Sequence, residues 1–325
     1  MADDVTSQNK QSEMPSEAGP LGAYNGQRPP APDWFETALS RRPETRFTDG
    51  EDARVHYQTW GDPSKPGLLL CHGNGAHAQW WDFIAPFFAK HYYLVAPTFS
   101  GMGDSDWRSS YNMETFTRNQ LNVAETAGLF GQATKPIIVG HSFGGFVSVG
   151  TASKHGDLFG GTIIVDTPIR PSEDPHDGPP RRNRPNKVYP TIESALARFR
   201  LAPPQLCENH YAMDYIARHS LKETVDESGN AGWVWKFDPS IWRRFRAEDR
   251  PMEDLLQDIS CPLAFFRGAQ SALVTDEIWS FMQGLVSNKV PFVSIPDARH
   301  HVMLDQPLAF VSALQALLET WRANA

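Results

Sequence analysis

Pro136-Ile137-Ile138-Val139-Gly140-His141-Ser142-Phe143-Gly144-Gly145-Phe146-Val147 is the stretch on which the reading of the whole chain turns. Ile137, Ile138 and Val139 form a short apolar, β-branched run with the character of a buried strand, and Phe146, Val147 and Val149 begin a helical spacing. Between them lies the pattern G-x-S-x-G, so the pentapeptide joins a strand to a helix. A chain reversing this sharply holds Ser142 in a strained backbone conformation, and glycines two positions to either side leave room for strand and helix to cross. The turn lifts the hydroxyl clear of the sheet, beside the amide of Phe143 at the positive end of the helix. Ser142 is thus a candidate nucleophile and the Phe143 amide a candidate oxyanion donor. Without its flanks the match is an ordinary glycine-rich loop, so the flanks carry the reading.

Outward from this turn, apolar strand-like runs alternate with helical spacings. Residues 44–48 and 54–60 flank Asp49, Gly50, Glu51 and Asp52, the composition of a hairpin turn. Further runs at 67–71, 92–97, 162–166, 262–267 and 291–295 read as strands. Trp80, Trp81, Phe83, Ile84, Phe87 and Phe88 fall at helical spacing, as do residues 113–130, 277–286 and 308–321. Such alternation implies an α/β fold with a mostly parallel sheet covered on both faces. From Pro168 the pattern breaks. Residues 168–257 mix helical segments at 192–200 and 208–218 with Trp233, Trp235, Phe237, Trp242 and Phe245, and read as an insertion above one sheet edge. Its basic cluster, Arg181, Arg182, Arg184 and Lys187, reads as a solvated loop rather than an anion site.

Composition narrows the remaining possibilities. Residues 1–32 are rich in Ser, Gln, Pro, Asp and Glu without an apolar core, and read as a disordered tail rather than a signal peptide. No run of eighteen apolar residues occurs, so no membrane span is expected. The three cysteines, Cys71, Cys207 and Cys261, have no metal or redox spacing, and with the missing signal they favour a reducing cytoplasm. A formal charge of −8 argues against nucleic acid as a partner.

Four motifs together give a resemblance. His72-Gly73 after one strand, Gly101-x-Gly103-x-Ser105 after the next, the turn at Ser142, and a late histidine followed five residues on by Asp305-Gln306-Pro307 stand in the order of the α/β-hydrolase fold, which the chain resembles over about residues 44–325. The resemblance implies a sheet of about eight strands flanked by helices, with a mainly helical cap inserted after strand 6. The core would then be residues 33–167 and 258–325, and the cap 168–257. It implies His300 as general base, five residues before Asp305, with His301 the alternative. It also implies Asn74, the residue after His72-Gly73, as the second oxyanion donor beside Phe143. His72 is expected to brace that loop.

One slot departs from the family pattern. The usual acid follows the strand at 262–267 as G-x-x-D, and here Gly268 is followed by Ala269, Gln270 and Ser271 with no carboxylate. Some members place the acid at the end of the preceding strand, which here ends in Asp166. Adjacent strands lie about 4.8 Å apart, so a carboxylate there reaches the same histidine. Asp166 is the favoured acid, with Asp276, Glu277 or an acid-free dyad as alternatives.

A serine at the turn, where haloalkane dehalogenases and epoxide hydrolases of this fold carry aspartate, points to attack on an acyl carbon. The expectation is a serine hydrolase cleaving a small to medium carboxylic ester, with no cofactor and no metal required. A C–C bond hydrolase or thioesterase on the same triad is the second reading, and a catalytically weak ligand-binding or receptor-like protein the third. Trp233, Trp235, Phe237, Trp242 and Phe245 are candidate walls of an apolar pocket over Ser142, with Trp80, Trp81, Phe99 and Met102 beneath, and Trp80, Trp233 and Trp235 are the favoured substrate contacts. The expected partner is a small molecule, the expected assembly a monomer or homodimer.

Overall fold

In the computed structural model, which describes residues 19–48, 53–174, 178, 184–226, 228–247 and 250–323, the strand-like runs become one eight-stranded sheet. Its strands are β1 (Glu44–Thr48), β2 (Val55–Trp60), β3 (Gly67–Cys71), β4 (Tyr93–Pro97), β5 (Ile137–His141), β6 (Gly161–Val165), β7 (Leu263–Gly268) and β8 (Phe292–Ile295). They lie in the order β1-β2-β4-β3-β5-β6-β7-β8. Only the β1–β2 and β2–β4 pairs are antiparallel. The chain therefore winds outward in both directions from β3 and β5, and ligands of open parallel sheets bind where the winding reverses.

Burial of both faces explains the unbroken apolar runs. Leu68 and Leu70 of β3 face one layer with Val139, Val165 and the helix residues Phe310, Leu314 and Leu318. Leu69 and Cys71, the intervening residues, face the opposite layer with Ile138, Phe116 and Val147. This is the two-residue alternation of a strand with helices on both sides. The helices are α1 (Asp33–Ser40), α2 (Met113–Thr126), α3 (Phe143–His155), α4 (Ile192–Leu196), α5 (His210–His219), α6 (Ile241–Arg244), α7 (Met252–Gln257), α8 (Asp276–Leu285), α9 (Val302–Asp305) and α10 (Pro307–Ala323). Asn112 caps α2 by accepting from the Thr115 amide at 2.8 Å, and Thr275 caps α8.

Several expectations need correction. The aromatic run at 80–88 forms two 3₁₀ turns, Ala78–Trp81 and Ala85–Phe87, because Pro86 supplies no amide to a continuous helix. The helix expected over 113–130 ends at Thr126, where Gly128 takes φ +79° and a short 3₁₀ turn follows. The segment inserted after β6 carries α4 to α7 and also an antiparallel ribbon, Leu221–Val225 with Ala231–Trp235, which the sequence reading did not separate from helix.

Nor are residues 19–32 a free tail. Leu21 is buried in the core, the Gly19 amide donates to Ala197 O at 2.5 Å, and Arg218 donates to Gly26 O at 2.6 Å. Leu21, with Tyr24 and Ala31 packed against the same core, and hydrogen bonds to the end of α4 and to α5 hold a segment whose composition is otherwise polar. Residues 1–18, the hairpin turn Asp49 to Asp52, and Arg181 and Arg182 lie outside the described residues. Among the described residues, no helix is long and apolar enough to cross a membrane.

Candidate active site

Ser142 sits between β5 and α3 with φ +53° and ψ −118°. A non-glycine residue there costs on the order of 1–3 kcal/mol and persists only when its surroundings hold it. Its amide donates to Val165 O at 2.9 Å, while its carbonyl accepts from the amides of Gly145 at 2.9 Å and Phe146 at 3.2 Å. The glycines have the expected reason. A Cβ on Gly140 would stand 2.5 Å from Ser148 Oγ and 2.6 Å from Gly144 O, and one on Gly144 would stand 2.5 Å from His72 O and 2.6 Å from Cys71 O. Strand, turn and helix cross too closely for any side chain at either position.

The ends of β6, β7 and β8 bring three more groups to this turn. Asp166 follows β6 with φ +47° and is fully buried. Its Oδ1 accepts from His300 Nδ1 at 2.8 Å and from Ser271 Oγ at 2.6 Å, and its Oδ2 accepts from the Gly268 amide at 2.7 Å. A carboxylate offers only acceptors, so His300 carries its proton on Nδ1 and presents the lone pair of Nε2 to Ser142 Oγ, 2.9 Å away. Serine, histidine and aspartate thus form one continuous hydrogen-bonded chain. Ser271 occupies the position where G-x-x-D would place a carboxylate, and serves there as a donor to the carboxylate on the neighbouring strand. Asp276, by contrast, is a solvent-exposed partner of Arg267 at 2.6 Å in the first turn of α8, with Glu277 beside it.

The histidine loop after β8 is held from three sides. The Gln270 amide donates to Ala298 O at 2.8 Å, tying this loop to the one after β7. Asp305 Oδ2 accepts from the Arg299 amide at 2.7 Å, which gives the acid of the His-x₄-Asp spacing a bracing role. Gln205, from the insertion, donates to Asp305 Oδ1 at 3.0 Å and accepts from the His301 amide at 3.1 Å. His141 Nε2 donates to His300 O at 2.9 Å, and burial holds its ring neutral, its pKa pushed down to about 3. Neither Gln205 nor His141 was singled out from sequence, since their partners lie 96 and 159 residues away.

On the opposite side lies the loop after β3. His72 Nδ1 donates to Gly73 O at 2.7 Å and Nε2 accepts from the Phe99 amide at 3.0 Å. Desolvation pushes its pKa down to about 4, which keeps it neutral in this double role. The peptide unit is planar and trans, so pinning Gly73 O to His72 turns the Asn74 amide the other way. A Cβ on Gly73 would lie 3.3 Å from Ser142 Cβ, so this loop passes directly beside the serine. Phe143 opens α3, where first-turn amides have no intrahelical acceptor.

The candidate aromatic residues fall into separate groups. Trp242 packs on Phe143 at 5.3 Å, as do Phe99 at 5.9 Å and Phe116 at 4.9 Å. The Trp80 ring lies tilted against that of His301, with centroids 5.3 Å apart. Trp235 rests on Tyr189 and Phe199, and Trp233 lines a groove of about 420 Å³ with Pro190, Glu223 and Val225 along the ribbon. The ring that the insertion lays against Phe143 is therefore that of Trp242.

Comparison with known proteins agrees with this fold. The esterase Rv0045c of Mycobacterium tuberculosis is 24% identical over 269 residues, covering 80% of this chain and 85% of that protein. The (E)-2-((N-methylformamido)methylene)succinate hydrolase of Acinetobacter baylyi is 24% identical over 85% of this chain and 97% of its own length. Among solved structures, the thioesterase domain from the curacin biosynthetic pathway superposes with a TM-score of 0.67 at 22% identity, covering 84% of this chain and 99% of that domain. The profile described as the alpha/beta hydrolase family matches residues 68–314, which run from β3 into α10 and include the serine turn, Asp166 and His300. The chain belongs to the alpha/beta hydrolase family.

Proposed function

We propose that the protein is a serine hydrolase that cleaves a small to medium carboxylic ester through an acyl-enzyme on Ser142. The observation that carries this reading is the single hydrogen-bonded chain from Ser142 Oγ through His300 to Asp166, at 2.9 and 2.8 Å. In it, Ser142 Oγ attacks the acyl carbon while His300 Nε2 takes the hydroxyl proton. Asp166 holds the tautomer and stabilises the imidazolium without itself taking the proton. The carbonyl oxygen becomes an oxyanion facing the amides of Phe143 and Asn74. His300 then returns the proton to the departing alkoxide, and water repeats the cycle on the acyl-enzyme. Phe143, Trp242 and Trp80 offer apolar and aromatic surface to the substrate, consistent with a partly apolar acyl or alcohol group.

The same groups would serve a thioester or a C–C bond of diketone type, and two of the similar proteins are named as a thioesterase domain and a substituted succinate hydrolase. The vacant G-x-x-D slot is the motive for a ligand-binding reading, and the hydrogen bond from His300 to Asp166 supports the hydrolase instead. A panel of p-nitrophenyl esters, acyl-CoA thioesters and vinylogous diketones tests the proposal. A burst of p-nitrophenol equal to the enzyme concentration, with kcat/KM highest on esters, is expected. Turnover confined to diketones, or none on any panel member, would overturn it.

A further inference from the structure

Three histidine side chains converge beside the nucleophile, and one of them has no place in the proposed reaction. One nitrogen each from His141, His300 and His301 lies within 4.8 Å of the other two, and all three side chains are buried. His301 is 4% exposed, and neither of its ring nitrogens has a hydrogen-bond partner among the described residues. Its ring lies 4.8 Å from that of His300 and 5.6 Å from that of His141. Burying an imidazole with both nitrogens unpaired is costly, so such a group calls for a partner.

The other two rings are held as metal-ligating histidines are held. Such residues usually donate the outer ring N–H to a carboxylate or a backbone carbonyl, which aims the remaining lone pair inward. Here His300 Nδ1 donates to Asp166 at 2.8 Å, and His141 Nε2 donates to His300 O at 2.9 Å. The lone pairs of His300 Nε2 and His141 Nδ1 are thereby left unprotonated. A Cβ on Gly73 would stand 3.1 Å from His141 Nδ1 and 3.3 Å from Ser142 Cβ, so that lone pair borders the space beside the serine. Tetrahedral zinc with Zn–N near 2.0–2.1 Å needs nitrogens roughly 3.4 Å apart. The three nitrogens already lie within 4.8 Å of one another, and His301 can turn toward the other two without giving up a hydrogen bond.

We infer that His141, His300 and His301 form a binding site for a divalent d-block cation of the zinc and copper type. Imidazole nitrogen selects these ions over magnesium and calcium, which prefer oxygen. The cation takes the Nε2 lone pair of His300, so the hydrogen bond to Ser142 is lost while the one to Asp166 remains. Inhibition of turnover by the cation rests on His300 being the general base, as proposed above; binding itself does not.

The test measures the two separately. ZnCl₂ is titrated calorimetrically into metal-free Ser142→Ala protein, and ester turnover by the wild type is followed over the same zinc concentrations. One zinc per chain is expected, with MgCl₂ and CaCl₂ giving no binding, and with turnover lost to zinc and restored by EDTA. His301→Phe keeps a ring packed against Trp80 but removes the nitrogens, and is expected to weaken zinc binding and inhibition alike by at least roughly tenfold. Zinc-edge anomalous diffraction from soaked wild-type crystals, which does not depend on the variant folding, is expected to place the ion among the three rings. No zinc binding, a folded His301→Phe protein with unchanged affinity, or an anomalous peak elsewhere would each overturn the site. Zinc bound at the three rings without loss of turnover would uphold the site and refute His300 as the base.

Discussion

Replacing Asp166 by asparagine removes one charge and changes almost no volume, and its effect follows from the three donors that the carboxylate now accepts: His300 Nδ1, Ser271 Oγ and the Gly268 amide. An asparagine has one oxygen and one NH₂, so in either orientation a donor is turned toward a donor. With the oxygen kept by the Gly268 amide, the NH₂ faces His300 and draws its proton to Nε2. That nitrogen can then no longer accept from Ser142. The wrong tautomer in a serine triad costs about 10⁴-fold in kcat, equivalent to roughly 5.5 kcal/mol of transition-state stabilisation. The assay is kcat and KM on a p-nitrophenyl ester, with near-ultraviolet circular dichroism to establish that the core is intact. A fall in kcat of about 10⁴-fold with little change in KM is expected. A folded Asp166→Asn protein within tenfold of wild-type kcat, alongside collapse in Asp276→Ala or Glu277→Ala, would refute the reasoning.

Other perturbations have equally defined outcomes. Ser271→Ala removes a hydrogen bond to a buried carboxylate, a loss of about 1.5–3 kcal/mol, and is expected to lower kcat roughly tenfold or more while KM holds. Gly144→Ala places a methyl group 2.5 Å from His72 O and 2.6 Å from Cys71 O, both backbone atoms, so the thermal midpoint should fall and soluble yield with it; an unchanged midpoint contradicts the crossing geometry. Burial pushes His56 and His72 down to about 4 and His141 to about 3, so below pH 6.5 the unfolded chain binds protons that the folded chain refuses, and stability falls with pH by about 1.4 kcal/mol per unit for each histidine. Asp82, raised by burial to about 7, and Asp305, also raised by burial, act in the opposite sense, but His77 and His301, both lowered by burial, add to the loss, so denaturant midpoints should drop steeply from pH 7 to 5, and a flat profile would contradict the burial of these rings.

Much of this arrangement is legible along the chain because it is local. Strands covered on both faces leave unbroken apolar runs, and a turn crossed by a helix leaves glycines at 140 and 144. Asp166 is reachable from sequence because β6 is the neighbour of β5 and the residue that follows it lies beside the histidine loop. What was not legible depends on contacts across long separations. The aromatic run at 80–88 has helical spacing, but Pro86 and the packing of Trp81 and Phe83 in the core decide for 3₁₀ turns. Trp233 and Trp242 look alike in sequence, and only the fold separates Trp242, packed on Phe143 from α6, from Trp233, paired with Glu223 on the ribbon. Residues 19–32 carry too little apolar content to announce that α4 and α5 cover them. The role of Ser271 appears only when Asp166 is seen opposite it, because a serine three residues after a glycine has no signature of its own.

Mass spectrometry of the intact protein after treatment with a fluorophosphonate tests the central claim most directly, since that reagent needs an activated serine and no knowledge of the substrate. The account predicts one adduct per chain, mapped to Ser142, absent in Ser142→Ala and greatly slowed in Asp166→Asn. A folded wild-type protein that remains unlabelled, or that is labelled at another residue, would contradict it.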